Sequence, residues 1–274
     1  MPRFTTSDGL SLHYTDEGSG LPVICLAGLT RAGADFDYVA PHLTDIRLIR
    51  MDYRGRGKSD WAENYLTYAI PVEGRDCVEL MDHLGLDRAA ILGTSRGGLI
   101  AMGLAATVKE RLIGVALNDI GPELDPRGLE VIKNYIGRNP AQKTHAEAAA
   151  IRGAQMTGFA NVPDSRWMEE VQRLFHETPD GLTITYDPKL RDAVLEAGAQ
   201  PAPDLWPFFD AFEGLPLCAI RGANSDLLCP ETLAEMQRRR PDMITAVVPD
   251  RAHIPFLDEP EALAALRKWI EALQ

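Results

Sequence analysis

The chain has 274 residues, of which 45% are hydrophobic and 25% charged, and its formal net charge is −12 at pH 7. This composition excludes a disordered chain, and the length suits one large α/β domain with an insertion. The acidic balance gives no long-range attraction for a polyanion, so we expect no nucleic-acid partner.

The N-terminus lacks the apolar run of a signal peptide, and no segment approaches the roughly 18 apolar residues of a membrane span. We therefore expect a soluble, cytoplasmic protein with no membrane partner, either a monomer or a homodimer. The four cysteines are scattered and form no CxxC pair, which predicts reduced thiols and no zinc or redox site.

The first 20 residues alternate polar and apolar side chains around Asp8-Gly9, which is typical of a hairpin. Short apolar runs then alternate with segments of helical spacing. Runs that are apolar on both faces predict a parallel sheet covered by helices on both sides. The runs span residues 22–29, 46–53, 89–95, 112–120, 216–223 and 244–250.

One stretch interrupts this alternation. From Gly121 to about Pro203 there is no clear buried strand, only Ala-rich and amphipathic pieces such as 143–156 and 166–177. These pieces predict a helical insertion, or cap, over one edge of the sheet. We expect a core of residues 1–120 and 206–274 and a cap of residues 121–205.

Ser95 lies between Gly93 and Gly97 in a G-x-S-x-G pattern, directly after an apolar strand and before a helix. Such a turn is tight enough to strain the serine backbone, and glycines let the neighbouring chain pass closely. The pattern predicts that the hydroxyl is aimed into the crevice at the carboxyl ends of the strands as a nucleophile.

A serine nucleophile needs a base, and His253 is the one histidine of six that follows a late strand. The imidazole in turn needs a carboxylate to orient it. Asp226 follows the preceding strand and gives the chain order Ser, acid, His, so we predict it as the acid. Asp119, at the end of the 112–120 strand, is the rival candidate.

The oxyanion of an acyl-transfer intermediate needs two N–H donors. Gly28 ends the strand of residues 22–29, after which the N–H of Leu29 can face the crevice, and the N–H of Arg96 follows the nucleophile. We predict these two backbone groups as the donors.

The chain resembles the α/β-hydrolase superfamily, in the branch with a helical cap between the sixth and seventh strands. The likeness runs from about residue 10 to the end through "LAGL", "DYRGRGKS", "GTSRGG", "GANSD" and "AHIPFLDEP". It implies a mostly parallel sheet of about eight strands flanked by helices. Two motifs depart from the family pattern, since Ala27 and Ala252 stand where a histidine and a glycine are usual.

The four positions predict a serine esterase that acts on a small-molecule ester with an apolar acyl part and requires no metal or organic cofactor. A lactonase or carbon–carbon bond hydrolase with the same triad, and a ligand-binding protein of the same fold, are the alternatives. We expect the side chain of Arg96 to brace the oxyanion loop through a salt bridge, with Asp35 or Asp37 as candidate partners. The alternative is that its guanidinium enters the pocket and binds a carboxylate of the substrate.

Overall fold

Eight strands form one sheet in the computed structural model, which describes residues 1–274. The strands are β1 (Arg3–Thr5), β2 (Ser11–Glu17), β3 (Leu21–Leu26), β4 (Ile46–Met51), β5 (Ala89–Thr94), β6 (Leu112–Asn118), β9 (Leu217–Gly222) and β10 (Ile244–Val248). Their order across the sheet is β1-β2-β4-β3-β5-β6-β9-β10. The pairs β1–β2 and β2–β4 are antiparallel and the others parallel. The predicted sheet is confirmed.

The central strands are apolar on both faces because both faces are covered. All six residues of β5 are buried, and so are all six of β9. The covering helices and those of the insertion are α1 (Ile70–His83), α2 (Arg96–Thr107), α3 (Pro126–Tyr135), α4 (His145–Gln155), α5 (Asp164–Leu174), α6 (Leu190–Gly198), α7 (Trp206–Asp210), α8 (Pro230–Arg239) and α9 (Pro260–Ala272). None of these helices combines the length and apolar character needed to cross a membrane.

The segment between β6 and β9 contains α3 to α7 and a separate hairpin of β7 (Phe175–Thr178) and β8 (Gly181–Ile184). The sequence analysis placed residues 166–177 on one amphipathic helix, whereas α5 ends at Leu174 and a strand begins at the next residue. β7 and β8 pair only with each other, and the residues of β7 are half-buried or exposed. This hairpin therefore lacks the apolar pattern of a core strand.

The connection from β5 to α2 is a strained turn. Ser95 has φ of 50° and ψ of −113°, a left-handed conformation that side-chain-bearing residues rarely adopt. The backbone of α2 also passes very close to the end of β3, and the N–H of Gly97 donates to the carbonyl of Ala27 at 3.1 Å. A Cβ on Gly97 would lie 2.0 Å from the carbonyl oxygen of Leu26, so only glycine fits there.

We therefore expect Gly97→Ala to prevent the turn from closing, with a large loss of folded protein or of thermal stability. Gly103→Ala is the matched control on the same helix, because a Cβ at Gly103 meets only Ile70, at 4.0 Å. Alanine at that position should be neutral or stabilising by roughly 0.5–1 kcal/mol. Thermal unfolding followed by circular dichroism measures both, and equal melting temperatures for the two variants would contradict the close-approach argument.

Candidate active site

Ser95 and His253 meet at the carboxyl ends of the parallel strands. The Oγ of Ser95 lies 3.0 Å from Nε2 of His253, and Ser95 itself is 8% exposed. His253 lies in the loop between β10 and α9, which brings it across 158 positions of chain to the serine. A hydroxyl within hydrogen-bond distance of a neutral imidazole nitrogen can lose its proton to that nitrogen.

The carboxylate that the structure places against His253 belongs to Asp119, the rival candidate, and not to Asp226 as predicted. Nδ1 of His253 lies 2.7 Å from Oδ2 of Asp119. The Asp119 side chain is fully buried and also accepts hydrogen bonds from the N–H of Gly222 at 2.8 Å and the hydroxyl of Ser225 at 2.6 Å. Three donors hold this carboxylate in one orientation. A carboxylate that aligns an imidazole must itself be held in place.

The reason for the difference lies in the loop after β9. Ser225, not Asp226, points at the buried polar centre of that loop, and its hydroxyl donates to Asp119. Asp119 directly follows β6, which is the neighbour of β5 in the sheet, so its carboxylate lies beside the nucleophile turn. The carboxylate of Asp226 makes no ion pair with a basic side chain within 4 Å and lines the cavity in front of Ser95.

This cavity has a volume of about 670 Å³ and lies between the strand ends and the segment that follows β6. Much of its wall is apolar and includes Phe36, Phe159, Trp167, Phe256 and Leu257. Phe256 contacts the rings of Phe159 and Trp167, with centroids 5.7 and 6.3 Å away. A cavity of this size and lining suits a small, partly apolar ligand.

The structure brings Leu29 and Arg96 to the same place. Leu29 lines the cavity, and a Cβ on its neighbour Gly28 would lie 3.9 Å from the Cβ of Ser95. The N–H of Leu29 makes no backbone hydrogen bond. Arg96 is the first residue of α2, where N–H groups have no intrahelical acceptor. Both groups are thus free to donate to an oxygen beside Ser95.

A buried network of three charges joins the two loops that hold these donors. The carboxylate of Glu73, on α1, forms an ion pair with Nη1 of Arg56 at 2.7 Å and accepts a hydrogen bond from Nε of Arg96 at 2.6 Å. Nε of Arg56 donates to the carbonyl oxygen of Leu29 at 3.0 Å. Burial opposes ionisation of Glu73, but the charges of Arg56 and Arg96 outweigh it and lower the pKa of the carboxyl. Glu73 is therefore ionised and connects the residue after the nucleophile to the oxyanion loop.

The expected partners of Arg96 were wrong, because Asp35 pairs with Arg31 and Asp37 with Arg50. Glu73 was not predicted as a partner of Arg96, although it lies in a segment of helical spacing between two apolar runs. A carboxylate among apolar helix positions is rarely buried unless it is paired.

Comparison with known proteins now identifies the fold family. Residues 23–266 match the family model described as the alpha/beta hydrolase family. The chain belongs to this family. It is 38% identical over 261 residues to a 3-hydroxybutyrate-oligomer hydrolase of Cupriavidus necator, an alignment that covers 92% of this chain and 89% of that protein.

Solved structures agree with this assignment. The crystal structure of an alpha/beta hydrolase from Novosphingobium aromaticivorans superposes with a TM-score of 0.91 at 36% identity and covers 98% of this chain and 97% of its own. The fold is also shared with E-2-(acetamidomethylene)succinate hydrolase, with a TM-score of 0.84 at 21% identity and coverage of 98% of both chains. The chain is thus an α/β hydrolase in sequence and in fold.

The pairing of His253 with Asp119 predicts how the reactivity of Ser95 depends on each acid. Asp119→Asn should slow covalent labelling of Ser95 by a fluorophosphonate by roughly three to four orders of magnitude, because an amide holds the imidazole in the wrong tautomer. Asp226→Asn is the matched control and should change the labelling rate little. Time-resolved mass spectrometry of the labelled protein gives both rates, and the reverse order of effects would return the role to Asp226.

The buried network predicts a stability effect at Glu73. Glu73→Gln leaves two buried guanidinium groups without their anion, and breaking a buried ion pair in this way costs about 3–5 kcal/mol. Glu63→Gln, at an exposed glutamate that forms no ion pair, is the control and should stay within about 0.5 kcal/mol of the parent. Urea unfolding measures both, and equal unfolding free energies would show that the network contributes nothing to stability.

Proposed function

We propose that this chain is a serine hydrolase that cleaves carboxylic esters through an acyl-enzyme intermediate. The observation that carries the proposal is the continuous hydrogen-bonded relay from Ser95 through His253 to Asp119, at 3.0 and 2.7 Å, at the head of the cavity. Nucleophile, base and orienting acid stand in the order that this chemistry requires.

In the first half-reaction Oγ of Ser95 attacks the ester carbonyl carbon while Nε2 of His253 takes the hydroxyl proton. The carbonyl oxygen becomes an oxyanion, which the N–H groups of Leu29 and Arg96 stabilise. The intermediate collapses, the alcohol leaves with the proton from His253, and the acyl group stays on Ser95.

In the second half-reaction His253 takes a proton from water, and the hydroxyl attacks the acyl carbonyl. Collapse of that intermediate breaks the bond to Ser95, which recovers its proton from His253, and the carboxylic acid is released. Asp119 remains ionised throughout and stabilises the imidazolium form of His253, to which it is hydrogen-bonded.

Two observations support an ester as the bond that is cleaved. Units of a 3-hydroxybutyrate oligomer, the substrate in the name of the 38% identical relative, are joined by ester bonds and leave one free carboxylate. The apolar cavity wall offers a place for the acyl part of such a substrate.

We assign residues 121–205 the role of a cap over a core formed by residues 1–120 and 206–274. Cavity-lining residues from this segment include Tyr135 of α3, Arg152 of α4 and Trp167 of α5. The polypeptide that follows β6 thus supplies one wall of the site, and substitutions there should change substrate preference more than the chemistry at Ser95.

A panel of p-nitrophenyl esters tests the proposal. The purified chain should hydrolyse acyl esters, and Ser95→Ala should lower kcat by about 10⁴- to 10⁶-fold while leaving the far-UV circular dichroism spectrum unchanged. A variant that keeps more than a tenth of the parent rate would remove Ser95 from the mechanism. Labelling of Ser95 by a fluorophosphonate without turnover of any ester would favour cleavage of a different bond by the same residues.

A further inference from the structure

The guanidinium of Arg152 is a partly buried and poorly satisfied cation in the wall of the cavity. Its side chain is 25% exposed, and its Nε is buried without a hydrogen-bond partner. The nearest carboxylate oxygen belongs to Glu170 and lies 4.0 Å from Nη2. A guanidinium has five N–H donors in a planar fork, so this one has ample capacity for an anion.

Glu170 makes no hydrogen bond with Arg152, because other groups already engage both of its carboxylate oxygens. Its Oε2 accepts from Nη2 of Arg31 at 2.7 Å, and its Oε1 accepts from the hydroxyl of Tyr38 at 3.2 Å. Nε of Arg31 is bound to Asp35 at 2.6 Å. Burial, together with the positive charge of Arg31, lowers the pKa of Arg152, so its charged form is held here at a cost that a bound anion would offset.

The position of Arg152 relates it to the nucleophile through a short series of contacts. The Cγ of Arg31 would lie 3.3 Å from a Cβ on Gly28, which in turn would lie 3.9 Å from the Cβ of Ser95. Glu170 then joins Arg31 to Arg152. Arg152 therefore lies at a distance from Ser95 but lines the same cavity. A residue that binds a part of the substrate far from the cleaved bond must have such a position.

We propose that Arg152 binds a free carboxylate of the substrate, so that the preferred substrates are esters that carry a carboxylate away from the bond that is cleaved. This inference rests on the proposed function and names its substrate class. A carboxylate matches the planar fork of a guanidinium and forms two charge-assisted hydrogen bonds with it. Arg96 does not serve this purpose because it does not line the cavity and its guanidinium is bound to Glu73 and to the carbonyl oxygen of Tyr68.

Two other charged residues of the cavity provide controls. Arg138 also lines the cavity but is exposed, so water screens its charge. Asp226 lines the cavity with a carboxylate that has no basic partner and opposes an anionic ligand. Removing the charge of Arg138 should therefore matter little, and Asp226→Asn should improve binding of an anion.

The test compares two substrates that share one ester bond, the anion of 3-butanoyloxybutanoic acid and its neutral primary amide. Release of butanoate is followed by ion chromatography. We expect Arg152→Met to lower kcat/KM for the anion on the order of 10- to 100-fold, mainly through KM, and to leave the amide nearly unchanged. Arg152→Lys should recover part of the loss, since it restores the charge without the fork.

The matched variants separate charge recognition from other effects. Arg96→Met should lower kcat equally on both substrates, because its side chain positions the oxyanion donors, and Arg138→Met should leave both nearly unchanged. Equal losses on anion and amide in Arg152→Met, or an anion-specific loss in Arg138→Met instead, would overturn the assignment of the carboxylate to Arg152.

A binding measurement distinguishes failure of this inference from failure of the proposed function. Isothermal titration calorimetry of Ser95→Ala with the same anion requires no turnover. Arg152→Met in that background should weaken binding on the order of 10- to 100-fold, and Asp226→Asn should strengthen it. Absence of turnover in the parent would refute ester hydrolysis alone, whereas undetectable binding, or binding that Arg152→Met leaves unchanged, would refute the carboxylate site.

Discussion

The close approach of α2 to the end of β3 determines the geometry of the whole site. Because Gly97 has no Cβ, its N–H reaches the carbonyl of Ala27, and the turn before it holds Ser95 in a left-handed conformation. This contact places Ser95 beside the loop that begins at Gly28, and the first N–H of α2 lies at the same turn. The turn at Ser95 and the loop after Gly28 are thereby held close together.

Buried charge maintains that arrangement. Glu73 lies between Arg56 and Arg96, and Arg56 also donates to the carbonyl of Leu29. Burying three charges carries a large desolvation cost, which apolar residues of similar volume would avoid. The network is better explained by the two chain segments that it holds in place near Ser95 than by a contribution to the stability of the fold. The hydroxyl of Tyr53 also donates to the carbonyl of Ala27, at the end of β3.

The cavity in front of Ser95 has a partly apolar wall and several charged side chains, some of which are closely paired and some of which are not. Arg31 pairs closely with both Asp35 and Glu170, which leaves Arg152 with N–H donors that have no acceptor. Arg31 and Asp35 follow the oxyanion loop, whereas Glu170 and Arg152 come from the segment after β6. The ion pair between Arg31 and Glu170 therefore joins the cavity wall formed by the segment after β6 to the loop beside Ser95.

The sequence by itself determined the parallel sheet, the strained turn at Ser95 and the place of His253, because apolar runs and glycines act on neighbouring residues and leave a local pattern. It could not decide which of Asp119 and Asp226 lies against His253, since both follow strands and both give the same chain order with Ser95 and His253. Only the tertiary structure decided, by placing β6 next to β5 and turning Ser225 inward. The partner of Arg96 was hidden for the same reason, because a contact between residues 23 positions apart depends on how α1 packs against α2.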